Sequence, residues 1–124
     1  YVLINDGRGR FTNQTAALAP DLQKPGMVTD ARFADLNGDR QPELVVVGEW
    51  MPVSVYAAEG GRWVDKTTTF FPTPRRGWWN RLTVSDVNND GRPDLLVGNW
   101  GRNSQIRASD AQPVLAVDAD RFDL

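Results

Sequence analysis

Residues 35–44 return, altered but aligned, at residues 86–95. Asp35-Leu36-Asn37-Gly38-Asp39 matches Asp86-Val87-Asn88-Asn89-Asp90, and Pro42-Glu43-Leu44 matches Pro93-Asp94-Leu95, at an offset of 51 residues. Both copies continue through an apolar segment to a Gly-Xaa-Trp ending, Gly48-Glu49-Trp50 and Gly98-Asn99-Trp100. The first segment is one residue longer, which predicts a bulge in that strand. A second element, Gly9-Arg10-Phe11-Thr12-Asn13-Gln14-Thr15, recurs as Gly61-Arg62-Trp63-Val64-Asp65-Lys66-Thr67 at an offset of 52. Two different pieces repeating at nearly one period define a single unit of about fifty residues.

The unit reads as four strands. Residues 28–36 alternate loosely and run into the first acidic loop. Residues 43–50 are rich in Val, a β-branched type that favours strands. Residues 53–58 carry Val53 and Val55 and lead to a hairpin-like turn at Glu59-Gly60-Gly61. Residues 62–67 make a fourth strand containing Trp63 and Thr67, with Thr67, Thr68 and Thr69 expected at an exposed strand end. Helical periodicity is absent over any useful length. Pro20, Pro25 and Gly26 mark residues 16–27 as a connection between units, and Pro72, Pro74 and Gly77 mark 68–77 as another.

Laid along the chain, this register puts the last two strands of one unit at 1–15, a complete unit at 28–67, and the first two strands of a third, with a tail, at 81–124. Residues 113–119 read as the start of a further strand. The expected fold class is therefore all-β, with antiparallel four-stranded blades of a β-propeller. About two blades are present and the chain begins mid-blade, in the run Val2–Ile4, so a piece of a longer protein is expected. A blade cannot bury both of its faces alone, and neighbouring blades of the same parent chain are the expected partners.

Composition removes several functions. Cys and His are both absent, which excludes disulfides, thiolate and imidazole zinc sites, a Cys nucleophile and any His-based triad. The net charge of −2 argues against a nucleic-acid partner. No apolar run approaches the roughly 20 residues of a membrane span. Metals that take oxygen ligands remain open.

The acidic loops have the spacing for such a metal. In the second, Asp86, Asn88 and Asp90 stand at loop positions 1, 3 and 5 and Asp94 at position 9, with the carbonyl of Arg92 at position 7. A tight loop turns odd-numbered side chains toward one centre, and hard oxygens in that number suit Ca²⁺. Gly91 at position 6 supplies the positive φ that the turn demands. The first loop repeats the scheme with Asp35, Asn37, Asp39, Glu43 and the Gln41 carbonyl, but places Arg40 at position 6. A non-Gly residue there costs roughly 1 kcal/mol or more, and Glu43 is one methylene longer than Asp94, so weaker binding is expected in the first loop. An EF-hand would place a bidentate Glu at position 12 between helices; here position 12 is Val46 or Val97, in a strand. Ordinary hairpin turns are the competing explanation, since Asn-Gly and Asp-Gly form turns unaided. Four-ligand spacing matched in both loops favours the metal.

The run Asp86-Val87-Asn88-Asn89-Asp90-Gly91-Arg92-Pro93-Asp94-Leu95 between strands resembles the FG-GAP and VCBS repeat family, which includes the propeller of integrin α subunits and many exported bacterial proteins. With Asn5-Asp6-Gly7 to Thr15 ahead of a loop-bearing strand pair, the chain looks closest to bacterial proteins similar to cartilage acidic protein. The resemblance covers residues 1 to about 104. It implies a propeller, usually seven-bladed, outside the cell, at its surface or in the periplasm, with structural calcium bracing the hairpin between the first two strands of a blade. The tail departs from the pattern: Asp118 and Asp120 are followed by Phe122 where a position-5 ligand would stand, so 116–124 is not counted as a site.

Other residues have plainer readings. Trp78-Trp79 with Trp50 or Trp100 could offer a sugar-stacking platform, but large rings more often fill space between blades. Arg75-Arg76 and Arg81 read as a solvated connector. The acidic groups sit in tight turns rather than across a cleft, unlike the carboxylate pair of a glycosidase. The resulting expectation is a non-catalytic, calcium-binding scaffold or protein-interaction module. A carbohydrate-recognising module and an accessory domain of a secreted hydrolase are the alternatives, and the protein or glycan partner is unspecified.

Overall fold

A computed structural model describes residues 1–100 of the chain. The expected strand at 113–119 and the degenerate loop with Asp118, Asp120 and Phe122 lie outside the described residues. Strands dominate: β1 (Leu3–Asn5), β2 (Phe11–Asn13), β3 (Met27–Ala34), β4 (Glu43–Pro52), β5 (Ser54–Glu59), β6 (Arg62–Asp65), β7 (Arg76–Ser85) and β8 (Asp94–Asn99). Two four-residue helices, α1 (Thr15–Leu18) and α2 (Thr67–Phe70), follow β2 and β6. Among the described residues no helix is long and apolar enough to cross a membrane.

The architecture is all-β. β3, β4, β5 and β6 form an antiparallel meander, the complete four-stranded unit. The β5–β6 hairpin closes through Gly60 and Gly61, both at positive φ (57° and 77°), a pairing that matches the right-handed strand twist. The hairpins β1–β2 and β7–β8 are the two half-units. The far end of β4 also reaches β7, pairing Glu49 with Trp78 and Pro52 with Arg76.

β4 explains why the Val run is uninterrupted. Val45 and Val47 point to one face, where they pack with Val55 and Leu82 and with Trp79, Leu95 and Val97 of the following unit. Val46 points to the other face and joins Met51 and Tyr56, with Leu22, Leu44 and Trp63 around them. Both faces of the central strand are thus covered, and alternation disappears from its sequence. Leu82 belongs to the next unit yet is wholly buried in the first core, so the two units share one packed interior.

The expected bulge lies elsewhere. β3–β4 and β7–β8 keep the same register, Ala34↔Glu43 with Ser85↔Asp94 and Val28↔Gly48 with Trp79↔Asn99. The irregularity in each falls on the partner strand, at Thr29 and at Asn80. Gly48 is therefore equivalent to Asn99, and the two Gly-Xaa-Trp endings are one residue out of step. Trp50 instead forms a bulge of β4 against β7, at φ 61°.

The fourth strand is shorter than expected. It stops at Asp65, and Thr67 is buried at the start of α2 rather than exposed at a strand end. The cause is local. Asp65 Oδ1 accepts from the backbone N–H of Thr67 at 2.8 Å, which turns the chain, and Thr67 Oγ1 accepts from the N–H of Val55 at 3.0 Å. Asn13 and Thr15 do the same one unit earlier: Asn13 Oδ1 accepts from Thr15 N at 3.0 Å and Thr15 Oγ1 from Val2 N at 2.8 Å. The repeated Gly-Arg-aromatic element thus ends in a Thr that holds the preceding strand by a backbone N–H.

Candidate metal centre

Both acidic loops join the first two strands of a unit, β3 to β4 and β7 to β8, as the repeat pattern predicts. Their hydrogen-bond frames correspond almost atom for atom. Asp35 Oδ1 accepts from Asp39 N at 3.1 Å and Oδ2 from Arg40 N at 2.8 Å; Asp86 Oδ1 accepts from Asp90 N at 3.1 Å and Oδ2 from Gly91 N at 2.8 Å. Asn37 Oδ1 and Asn88 Oδ1 accept from the same Asp39 and Asp90 amides, at 2.8 and 3.1 Å. Asp39 Oδ1 accepts from Gln41 N, and Asp90 Oδ1 from Arg92 N. The position-9 carboxylates close the frame backwards: Glu43 Oε2 accepts from Leu36 N at 2.8 Å and Asp94 Oδ2 from Val87 N at 2.9 Å. Every odd-position side chain in the frame satisfies loop amides that β pairing leaves unused.

The loops differ in what faces their centres. In the first, Asn37 Nδ2 donates to both Asp39 Oδ2 and Glu43 Oε1, each at 3.0 Å, so two carboxylate oxygens converge on one point. Glu43 is almost wholly buried there. In the second, Asn88 Nδ2 donates to Asp90 Oδ2 at 3.0 Å, and the shorter Asp94 is more exposed than Glu43. The Arg92 N–H, then the Asn88 amide and the Arg92 charge, hold the Asp90 carboxyl below its ordinary value, against a smaller upward push from burial. Among the described residues no three acidic side chains stand close enough together to hold a metal ion, and Asp35 and Asp86 each have both oxygens on backbone amides. By residue type the set fits a hard cation, carboxylates and amides with no thiol or imidazole, although the Asn37 and Asn88 oxygens face backbone amides and it is Asn37 Nδ2 that meets the carboxylates in the first loop.

Arg40 does adopt the positive φ expected at position 6 (69°), matching Gly91 at 83°. A second left-handed residue, at position 4, was not foreseen: Gly38 at 81° in the first loop and Asn89 at 59° in the second. Each loop therefore holds one Gly and one non-Gly residue in this region.

The family follows from this loop-and-strand unit. The sequence profile of the FG-GAP-like repeat matches residues 35–97, just over half of the chain. The chain belongs to the FG-GAP-like repeat family. The matched span of this FG-GAP repeat runs from the first ligand position of one loop through the second loop into β8. No curated protein and no solved structure matches the chain.

The remaining candidates disperse. Trp50, Trp78 and Trp100 pack on one another, with ring centroids 5.1 and 4.7 Å apart and planes tilted by 41° and 60°. Rings tilted in this way meet edge toward face, a common packing geometry, and Trp100 stays half-exposed. Trp79 turns the other way, into the core, and donates from Nε1 to Met51 O. Arg76 donates to Trp50 O, whereas Arg81 lies beside Asp30. Two shallow grooves among the described residues, one between Val53, Phe71 and Leu95 and one between Phe33, Leu44 and Trp63, are mainly apolar and neither is lined by an acidic side chain.

Proposed function

We propose that this FG-GAP repeat module binds Ca²⁺ in both loops and serves, without catalysis, as a scaffold or protein-interaction segment. The residues that would hold the ion are Asp35, Asn37, Asp39 and Glu43 with the Gln41 carbonyl, and Asp86, Asn88, Asp90 and Asp94 with the Arg92 carbonyl. The observation that carries the reading is the duplicated hydrogen-bond frame. The same odd positions supply oxygens in both loops although the residues between them differ. The turn already uses these side chains as acceptors for its own amides; what favours a metal over a plain turn is the recurrence of three acids and one Asn at the same odd positions of both loops, a set whose negative charge is matched by the positive charge of a cation. Bound calcium would supply that charge and brace the hairpin joining two strands of a blade.

We take the setting to be extracellular, cell-surface or periplasmic, as the resemblance drawn from the sequence implies. Titration calorimetry with Ca²⁺ after chelator treatment, with thermal melting in parallel, tests the reading. Sites in the range of roughly 10⁻⁴ to 10⁻³ M, with stabilisation by the ion, are expected. Absence of both heat and stabilisation in a folded sample would reduce the loops to turns.

A further inference from the structure

The junction between the two units is held in an unusual way. β3 and β7 are the first strands of consecutive units and lie side by side, yet they share no ladder. Two side chains of β3 take the ladder's place. Thr29 Oγ1 donates to Trp79 O at 2.7 Å and also lies 3.3 Å from Val47 O. Asp30 Oδ2 accepts from the backbone N–H of Leu82 at 3.1 Å, across 52 residues of sequence. Its other oxygen accepts from Ala31 N at 2.9 Å and from the Arg32 guanidinium at 2.7 Å. Only 9 % of the Asp30 side chain is exposed. The equivalent places in the next unit are Asn80 and Arg81, so the carboxylate is absent from the second copy.

We propose that Thr29 and Asp30 form a clasp that fixes consecutive repeat units to each other, independently of the acidic loops. The bulge at Thr29 is what makes it possible. By setting one residue out of step, it turns two successive side chains of β3 toward β7, where regular alternation would turn only one. The clasp seats Leu82, the residue of β7 that enters the shared core.

The charges facing Asp30 are Arg32 from its own strand and Arg81 from β7, whose Nη1 is 4.0 Å from Oδ2; β4 places Val47 opposite it in register. The Leu82 N–H, then the Ala31 N–H and the two guanidinium groups, lower the Asp30 carboxyl below its ordinary value, partly opposed by burial. A carboxyl lowered in the folded state stabilises the fold above its unfolded value, about 3.9, and loses that contribution as pH falls through the folded value. The clasp is therefore at full strength at neutral pH and loses the charge-assisted part of its hydrogen bonds as pH falls toward the lowered folded value.

Amide hydrogen exchange and acid melting of the whole 124-residue chain, both in chelator so that loop occupancy does not enter, test the clasp. In Asp30→Ala the Leu82 amide should exchange roughly tenfold faster or more, out of proportion to other β7 amides. In Asp30→Asn, which keeps an acceptor oxygen of the same shape and so retains the fold, the fall in melting temperature between pH 5 and 3 should be shallower than in the parent. An unchanged Leu82 amide, or an acid slope in Asp30→Asn equal to the parent's, would overturn the proposal. Should Asp30→Ala fail to fold, the Asp30→Asn slope alone decides.

Discussion

Thr67→Val should destabilise the chain far more than its conservative shape suggests. The two side chains are nearly isosteric, so packing is kept and one acceptor is lost. That acceptor serves the N–H of Val55, a residue with no exposed surface, at 3.0 Å. Val is apolar and Val55 is wholly buried, so the N–H is left unpaired, at a cost of about 1–3 kcal/mol. For a domain of this length that corresponds to a fall in Tm of roughly 5–15 °C. Thr67→Ser is the control: it keeps the hydroxyl and removes one buried methyl, at about 1 kcal/mol. Thr15→Val removes the matching acceptor one unit earlier, where Val2 is only half-buried, and also a hydroxyl that donates to the part-buried Asn13 Oδ1 at 2.7 Å. With both former partners less buried than Val55, the cost should be about 1 kcal/mol, below that at Thr67. Urea melts of the three variants give the comparison. If Thr67→Val is no less stable than Thr67→Ser, or if the two Val variants cost the same, then the hydroxyl is not what holds the strand and the argument from burial fails.

This Thr shows only half of its role in the sequence. It closes an element that repeats at 52 residues, and the repetition alone marked it as more than a strand end. What the repeat cannot convey is direction: only the fold shows that the hydroxyl turns inward to a backbone amide of the preceding strand. The four-stranded unit was legible because Val-rich β4 and the Gly60-Gly61 turn are strong local signals, and the loops were legible because odd-position acids recur at fixed spacing. Asp30 was not. It has no counterpart in the second unit, and its partner Leu82 is distant in sequence, so neither periodicity nor local spacing could single it out. The Gly-Xaa-Trp match misled for a related reason. Sequence alignment places residues by identity, whereas the ladders place them by hydrogen bonding, and the two disagree by one residue at Gly48.

Several further changes have defined outcomes. Leu82→Ala should cost about 2–5 kcal/mol in equilibrium unfolding, because the side chain is wholly buried in the core shared by two units; a cost under 1 kcal/mol would mean the units do not share that core. Gly48→Ala should cost at least about 2 kcal/mol by the same measurement, since the new Cβ would collide with the backbone oxygen of Met27, which cannot move without breaking β3 from β4. Asp90→Ala should lower Tm more in calcium than in chelator, because only calcium adds a partner that the variant lacks; equal losses in both would count against a metal role. The last change separates backbone strain from ligand identity. Arg40 at φ 69° and Asn89 at φ 59° are the non-Gly left-handed residues of the two loops. Asn tolerates that region because its short amide can bond locally, whereas Arg carries the full Cβ penalty. Arg40→Gly should therefore stabilise the chain in chelator by up to about 1 kcal/mol, and Asn89→Gly by only a few tenths. The Arg40→Gly gain should also tighten calcium binding in the first loop, if strain at that position is what limits it. A larger gain from Asn89→Gly would show that the loops are limited by something other than the left-handed turn, and the expected order of affinity between them would lose its physical basis.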